Sequence, residues 1–380
     1  IKEYLEILTN RTVLDSLIEK ELIDAKDSFG IPRRTEITDL ELDVDDEDLI
    51  PKQDVVVTVS HKGYIKRVPL STYRSQRRGG KGRAGMSTRD EDFVTRIFVE
   101  NTHTPILFFS STGIVYKMKV WKLPQGTPQS KGKAMINLLP LSEGENITTI
   151  MPLPENEQEW ENLYIMFTTE NGNVRKNKLS DFVDVRANGK IAMKLQDNDE
   201  IKTVETCTDQ DDLLITTLKG QCIRFRVSDV RLFVGRSSTG VRGIRLAKGD
   251  RVISSAIIKS MSATTEERAA YLKMSRAVRG DIESDNGENE ENNENITPAV
   301  LSDEKYAEMG ASEQFILSIS NNGYGKRTST FEYRVTGRGG KGIIGIINSP
   351  RNGNISSSLV VNETDEIILS TDKGSIMRCA

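Results

Sequence analysis

The chain is poor in the residues that carry most enzymatic chemistry. Its 380 residues include three cysteines and two histidines. Cys207, Cys222 and Cys379 form no Cys-x-x-Cys pair and have no histidine partner, which argues against a structural zinc centre. Scattered thiols of this kind suit a reducing cytoplasm. His61 and His103 fall near expected strands and turns with no triad around them, so neither has the orienting partner that acid–base catalysis needs. Aromatics make up 6%, few for the stacking platforms of single-strand binders. No apolar run approaches the roughly 20 residues of a membrane-spanning helix, and no signal peptide is visible.

Positive charge in excess is also missing overall. The net charge is −4, which argues against a uniformly basic surface. That figure averages over segregated stretches, however. Glu36–Asp54 carries nine acids against Lys52 alone, and Asp281–Glu308 carries ten against Lys305 alone. Outside them the chain is basic. From Val55 to Met86 there are eight Lys/Arg and no acid. Within that span, Ser75–Gly85 interleaves four cations with four glycines. Glycine lets backbone approach a partner closely, and Arg offers a planar fork suited to phosphate oxygens. The stretch predicts a close-approach surface for a polyanion.

Repetition organises the rest. Ile1–Asp27 reads as helix from the spacing of Tyr4, Leu5, Leu8, Leu14, Leu17, Ile18 and Leu22, and Gly30 and Pro32 end it. An acidic linker follows. Six hairpins are then expected: Val55–Val59 with Tyr64–Val68, Ile106–Phe109 with Ile114–Met118, Tyr164–Thr168 with Asn173–Lys176, Leu213–Thr217 with Gln221–Arg226, Phe315–Ile319 with Tyr324–Arg327, and Ile367–Ser370 with Ser375–Arg378. Their turn glycines, Gly63, Gly113, Gly172, Gly220, Gly323 and Gly374, are separated by 50, 59, 48, 103 and 51 residues. A period near 50 with one hairpin per unit is the mark of propeller-like radial repetition. The long gap holds one repeat plus an insertion at about 261–312, helix-prone at first, with Gly287–Asn295 expected to be disordered.

A glycine-bearing loop follows most hairpins. Gln76–Arg77–Arg78–Gly79–Gly80–Lys81–Gly82–Arg83 is its fullest form. Lys131 and Lys133 mark the second, Arg186 and Lys190 the third, Arg236 the fourth, and Arg338 and Lys341 the fifth. Basic residues recurring on one side of a ring make a continuous stripe. With Lys66 and Arg67 of the first hairpin they form the predicted backbone-binding surface for duplex DNA. Gly337-x-Gly339-x-x-Gly342 matches a dinucleotide fingerprint, but a hairpin loop lacks the required strand–helix setting. Gly80–Lys81 resembles the end of a P-loop, except that Gly82 stands where a Mg²⁺-binding hydroxyl belongs.

Phe29–Ile37, Asp54–Arg67 and the heptad Gln76–Gly82 resemble the A subunits of bacterial DNA gyrase, and the likeness covers essentially the whole chain. It implies an all-β, six-bladed β-pinwheel, a propeller whose outer strands pass between neighbouring blades, preceded by a short helix. Residues 1–28 would end the arm from the cleavage core, 29–54 would be the linker, and 55–380 the pinwheel. The resemblance implies DNA bending around a basic rim, so that the holoenzyme supercoils negatively with ATP. The gyrase B subunit, an A₂B₂ assembly, and ATP and Mg²⁺ would all engage other parts of the holoenzyme. No cofactor is expected in this chain. The family's catalytic tyrosine lies upstream, so the chain alone is not expected to cut DNA. Repeat six is expected to lack its closing strand within these residues. Two alternatives stand beside this: the topoisomerase IV counterpart, which lacks a full heptad, and a propeller that binds proteins.

Overall fold

The computed structural model describes residues 1–31, 47, 49–72, 92, 94–153, 156–235, 238–279, 301–362, 365, 367–370 and 376–379. The chain divides into two units, Ile1–Leu49 and Ile50–Ala380. In the first, the single helix expected from the spacing is two, α1 (Lys2–Thr9) and α2 (Arg11–Phe29). Asn10 separates them because it adopts extended backbone and caps α2, its side chain accepting the Thr12 N–H at 3.1 Å. No side chain of either helix is buried within this unit.

The second unit is a series of antiparallel sheets in chain order. β1 (Asp54–Ser60), β2 (Tyr64–Pro69) and β3 (Val94–Asn101) begin the first. β4 (Pro105–Ser110), β5 (Ile114–Lys119), β6 (Lys133–Ala134) and β7 (Ile147–Pro152) follow, then β8 (Tyr164–Thr169), β9 (Asn173–Lys178), β10 (Lys190–Ile191) and β11 (Ile201–Cys207). Next come β12 (Asp211–Thr217), β13 (Gln221–Arg226), β14 (Val241–Arg242) and β15 (Val252–Lys259). Last are β16 (Phe315–Ser320), β17 (Gly325–Ser329), β18 (Ile343–Ile344), β19 (Ile355–Val361), β20 (Ile367–Ser370) and β21 (Ile376–Cys379).

The sheet orders are β3-β1-β2-β6, β10-β5-β4-β7, β11-β8-β9-β14 and β15-β12-β13-β18, then a three-stranded β17-β16-β19 and the pair β20-β21. In each four-stranded sheet, the outer two-residue strand comes from the following repeat. Tyr64 faces Ala134, Ile114 faces Ile191, Asn173 faces Arg242 and Gln221 faces Ile344. This is the pinwheel exchange of outer strands. The first five hairpins turn at their predicted glycines, and in repeat six β20 pairs with β21.

The five described turns are built the same way. The first strand ends in Ser60, Ser110, Thr169, Thr217 or Ser320. Its hydroxyl accepts the N–H of the residue after the turn glycine, at 3.1–3.3 Å in all five. The ladder to the third strand shifts register at this point in every one of the five.

The core lies between neighbouring sheets. All six residues of β4 are buried, so the strand reads as an unbroken apolar run. Period-two alternation splits it: Ile106 and Phe108 pack with Val55, Val57 and Ile65, while Leu107 and Phe109 pack with Trp160, Phe167 and Phe182. Phe109 meets Phe167 edge-to-face, ring centres 5.6 Å apart. The insertion is helical at both flanks. α3 (Thr265–Arg279) and α4 (Asp303–Ser312) close a small core of Tyr271, Met309 and Phe331, and Arg276 pairs with Glu332 at 3.2 Å. Gly287–Asn295 lies outside the described residues.

Third strands also join sheet to sheet. Arg96 on β3 donates to the carbonyls of Thr148 and Ile150 around β7, both at 3.2 Å. Glu205 on β11 accepts the N–H of Ile257 on β15 at 2.8 Å, and burial pushes its carboxyl up to about 7 from an ordinary 4.5. Between those values the folded chain holds a proton that the unfolded chain has lost. Stability therefore falls as pH rises through this window. From pH 5 to 8 the parent should lose about 1–3 kcal/mol of unfolding free energy that Glu205→Gln does not lose. Urea titrations of both proteins at each pH measure the difference.

Candidate nucleic-acid interface

Each described glycine loop packs against the preceding hairpin through its last glycine. Gly132, Gly189, Gly240 and Gly342 all have φ between 78° and 84°, and each immediately precedes a donated strand. At Gly342 a Cβ would stand 2.3 Å from the Cys222 carbonyl oxygen, and at Gly132 it would stand 2.4 Å from that of Ile65. Only glycine meets both demands. Gly337-x-Gly339-x-x-Gly342 accordingly lacks the strand–helix setting of a dinucleotide fingerprint: the loop runs into β18, not a helix, and Gly342 faces protein.

The predicted cations divide into two groups. Lys133, Arg186, Arg338 and Lys341 are exposed. Arg338 is also held in place, its Nε donating to the Asp229 carbonyl at 3.1 Å and Nη1 to that of Arg242 at 3.3 Å. Lys131 is half-buried, its ammonium 3.8 Å from the centre of the Tyr64 ring. Lys190 is half-buried and donates to the carbonyls of Asp181 (3.0 Å) and Asp184 (2.8 Å). Gln76, Arg77, Arg78, Gly79, Gly80, Lys81, Gly82, Arg83 and Arg236 lie outside the described residues.

Lys66 is a correction. It has no exposed surface, and its Nζ donates to the carbonyls of Thr127, Pro128 and Ser130 at 3.0, 2.6 and 2.8 Å. Burial lowers its pKa. A side chain so placed reaches no phosphate. Arg67 is half-buried and donates from Nε to the Leu123 carbonyl at 2.9 Å.

Arg67 belongs to a pattern that the glycine-rich loop phrases do not reveal. The fourth residue after the turn glycine is Arg67, Lys117, Lys176, Arg224, Arg327 or Arg378. Four of them reach a carbonyl of the next repeat at its short 3₁₀ turn. Arg67 reaches Leu123, Lys117 reaches Val183 (2.7 Å), Lys176 reaches Val227 (3.1 Å) and Arg224 reaches Thr330 (2.6 Å). Arg224 also clasps Asp212, itself fully buried, with Nε 2.9 Å and Nη2 2.8 Å from Oδ2. These cations tie one sheet to the next. Conversely, exposed Arg231 and Arg242 flank the fourth loop, and the sequence does not mark them because they fall outside its glycine-rich phrase. The buried thiols take no part: burial pushes Cys207 up to about 12 and Cys222 up to about 11, which keeps both protonated.

Sheets that each take an outer strand from the next repeat, with exposed cations on the lending loops, define a propeller-like domain. A family model described as "DNA gyrase C-terminal domain, beta-propeller" matches residues 54–99, 104–154, 163–208, 211–259 and 314–362, the segments of the first five sheets. The chain belongs to this family. The DNA gyrase A subunit of Rickettsia bellii (strain RML369-C) is 48% identical over 379 residues, covering 100% of this chain and 41% of that protein. Its Staphylococcus epidermidis (strain ATCC 12228 / FDA PCI 1200) equivalent is 38% identical over 380 residues, covering 100% and 36%. The chain thus spans about two-fifths of the length of these relatives. Among solved structures, a DNA topoisomerase IV C-terminal domain superposes with TM-score 0.61 at 22% identity, over 87% of this chain and 84% of the other. A DNA gyrase A C-terminal domain gives 0.57 at 23%, over 86% and 89%. Both show the same fold.

The two groups of cations should part under mutation. Lys341→Ala should change stability by less than about 0.5 kcal/mol. Arg224→Met strands the buried Asp212 carboxylate and should lose about 3–5 kcal/mol. Gly342→Ala should lose roughly 1–3 kcal/mol from backbone strain alone, while Gly337→Ala, whose Cβ meets nothing within 4 Å, should be near neutral. Chemical denaturation of the four variants tests the division.

Proposed function

We propose that this chain binds and bends duplex DNA around its loop-bearing rim, as the wrapping element of a gyrase A protein. The observation that carries the proposal is the recurrence of exposed cations on strand-lending loops, Lys133, Arg186, Arg338 and Lys341, in repeats two, three and five. They offer phosphate donors in series, to which the sequence adds Arg77, Arg78 and Lys81 of the heptad Gln76–Gly82. Such donors position a duplex without reading its bases, so deformability becomes the main sequence-dependent contribution to affinity. Within the whole enzyme, wrapping of one hand would present a second duplex segment for strand passage and yield negative supercoils. The gyrase B subunit, the A₂B₂ assembly, ATP hydrolysis, Mg²⁺ and the cleaving tyrosine belong to the remainder of that enzyme. This chain supplies the DNA path and no bond-breaking chemistry. The compartment is the bacterial cytoplasm.

DNA-minicircle ligation in the presence of the chain tests the proposal through the sign and size of the linking-number change. The parent should shift linking number, and affinity should fall steeply with salt, the logarithmic slope steepening by about 0.9 for each phosphate engaged. Arg77→Ala, Arg78→Ala and Lys81→Ala combined should lose most of the shift while the fold stays intact. A triple variant that shifts linking number like the parent removes the heptad from the wrapping path. A flat salt response removes DNA as the ligand.

A further inference from the structure

Lys66 and Arg175 are the largest fully buried cations among the described residues, and neither is placed to touch a ligand. Both are the third residue after a turn glycine, on β2 and β9. Both point into the loop that the next repeat lends to their own sheet. The Lys66 ammonium has three protons and three carbonyl acceptors, from Thr127, Pro128 and Ser130. Arg175 donates to the carbonyls of Gly235 and Ser238 (2.6 Å) and to the Asn177 side chain (2.8 Å). In the other two four-stranded sheets the same position holds Tyr116 and Ile223, and those loops are fastened otherwise, the third through Lys190 onto Asp181 and Asp184, the fifth through Arg338 onto Asp229 and Arg242.

We infer that Lys66 is a positioning residue for the rim: by gathering three carbonyls of the loop 127–133 beneath itself, it fixes the loop with Lys131 and Lys133 set for phosphate. The inference rests on duplex DNA being the ligand of the rim. Its physical basis is local. A short span contributing three carbonyls to one ammonium has little freedom left, and Gly132 then turns the chain into β6 at φ 80°. Lys131 leaves this turn stacked on Tyr64 of the receiving strand, and Lys133 leaves it exposed. Without the central cation those carbonyls face one another across a buried space, and the loop must open to hydrate them. The two rim lysines then lose their fixed spacing. Arg175 likewise gathers the Gly235 and Ser238 carbonyls of the fourth loop.

The test compares Lys66→Met and Lys66→Arg with the parent chain, using a random-sequence duplex over a range of salt. Lys66→Met should weaken binding about tenfold at moderate salt and make the logarithmic salt slope shallower by up to about 1.8, the signature of two lost phosphate contacts. Lys66→Arg, which keeps a donor head group, should recover most of both. In a Lys131→Ala/Lys133→Ala background, Lys66→Met should add nothing further to the slope. Additive losses there, or a parental slope in Lys66→Met alone, overturn the inference. Hydrogen exchange without DNA gives an independent arm. Amides of 127–133 should exchange faster in Lys66→Met while β4 and β8 keep their protection, and unchanged loop protection also overturns the inference. If the parent itself binds no DNA, the proposed function fails and the exchange arm alone decides whether Lys66 orders the loop. Should Lys66→Met not fold, Lys66→Gln, whose shorter neutral amide has too few donors for the three carbonyls, is measured in its place, with smaller losses in the same directions.

Discussion

Every hairpin in this domain leaves its outer edge unpaired, and an unpaired edge with buried faces is an unstable arrangement in water. The remedy adopted here is a two-residue strand from the next repeat, and the rest of the architecture follows from making that contact possible. The lending loop must come within contact distance of a foreign backbone, which forces glycine at positive φ just before the strand. The apolar faces must then be shared, so each core sits between two sheets and strands such as β4 are buried on both sides. The sheets are therefore not independent units with surfaces to spare. Each four-stranded sheet is finished by its successor.

The same exchange explains why positive charge has two uses in one chain. Where a strand crosses from one repeat to another, carbonyl groups of the crossing segment converge and need donors. Lys66, Arg67, Lys117, Arg175, Lys176 and Arg224 supply them from the receiving hairpin. Buried ammonium and guanidinium groups serve this purpose well because they bring several donors on a long apolar stem. The cations left exposed on the same loops then face outward on a scaffold that other cations hold still. Net charge cannot reveal this division, since a lysine under three carbonyls and a lysine in water count alike.

Much of the fold is legible in the sequence because its signals are local. Hairpin turns announce themselves through glycine, and their spacing near 50 residues marks the repeat and the insertion. The loop glycines are equally visible, but their purpose is not: Gly132 and Gly342 meet neighbouring backbone rather than leaving room for a ligand. Lys66 misleads for a related reason. Its burial depends on a loop more than 60 residues downstream, which no window around β2 contains. Two regularities lie in plain view yet gain meaning only from the structure, the hydroxyl three residues before each turn glycine and the cation four residues after it. The break between α1 and α2 is hidden because apolar spacing continues across Asn10 while the helical backbone does not.

Strand lending also sets an order of events in the cell. Tyr64 waits for Ala134, 70 residues later in the chain, and Gln221 waits for Ile344, 123 residues later, because the insertion intervenes. At ribosomal rates of roughly 5–20 residues per second, the first sheet stays open-edged for about 4–14 seconds and the fourth for about 6–25. A nascent chain therefore carries one incomplete sheet at its leading front throughout synthesis of this domain. That front moves forward one repeat at a time, and it halts longest where the acidic insertion is being made.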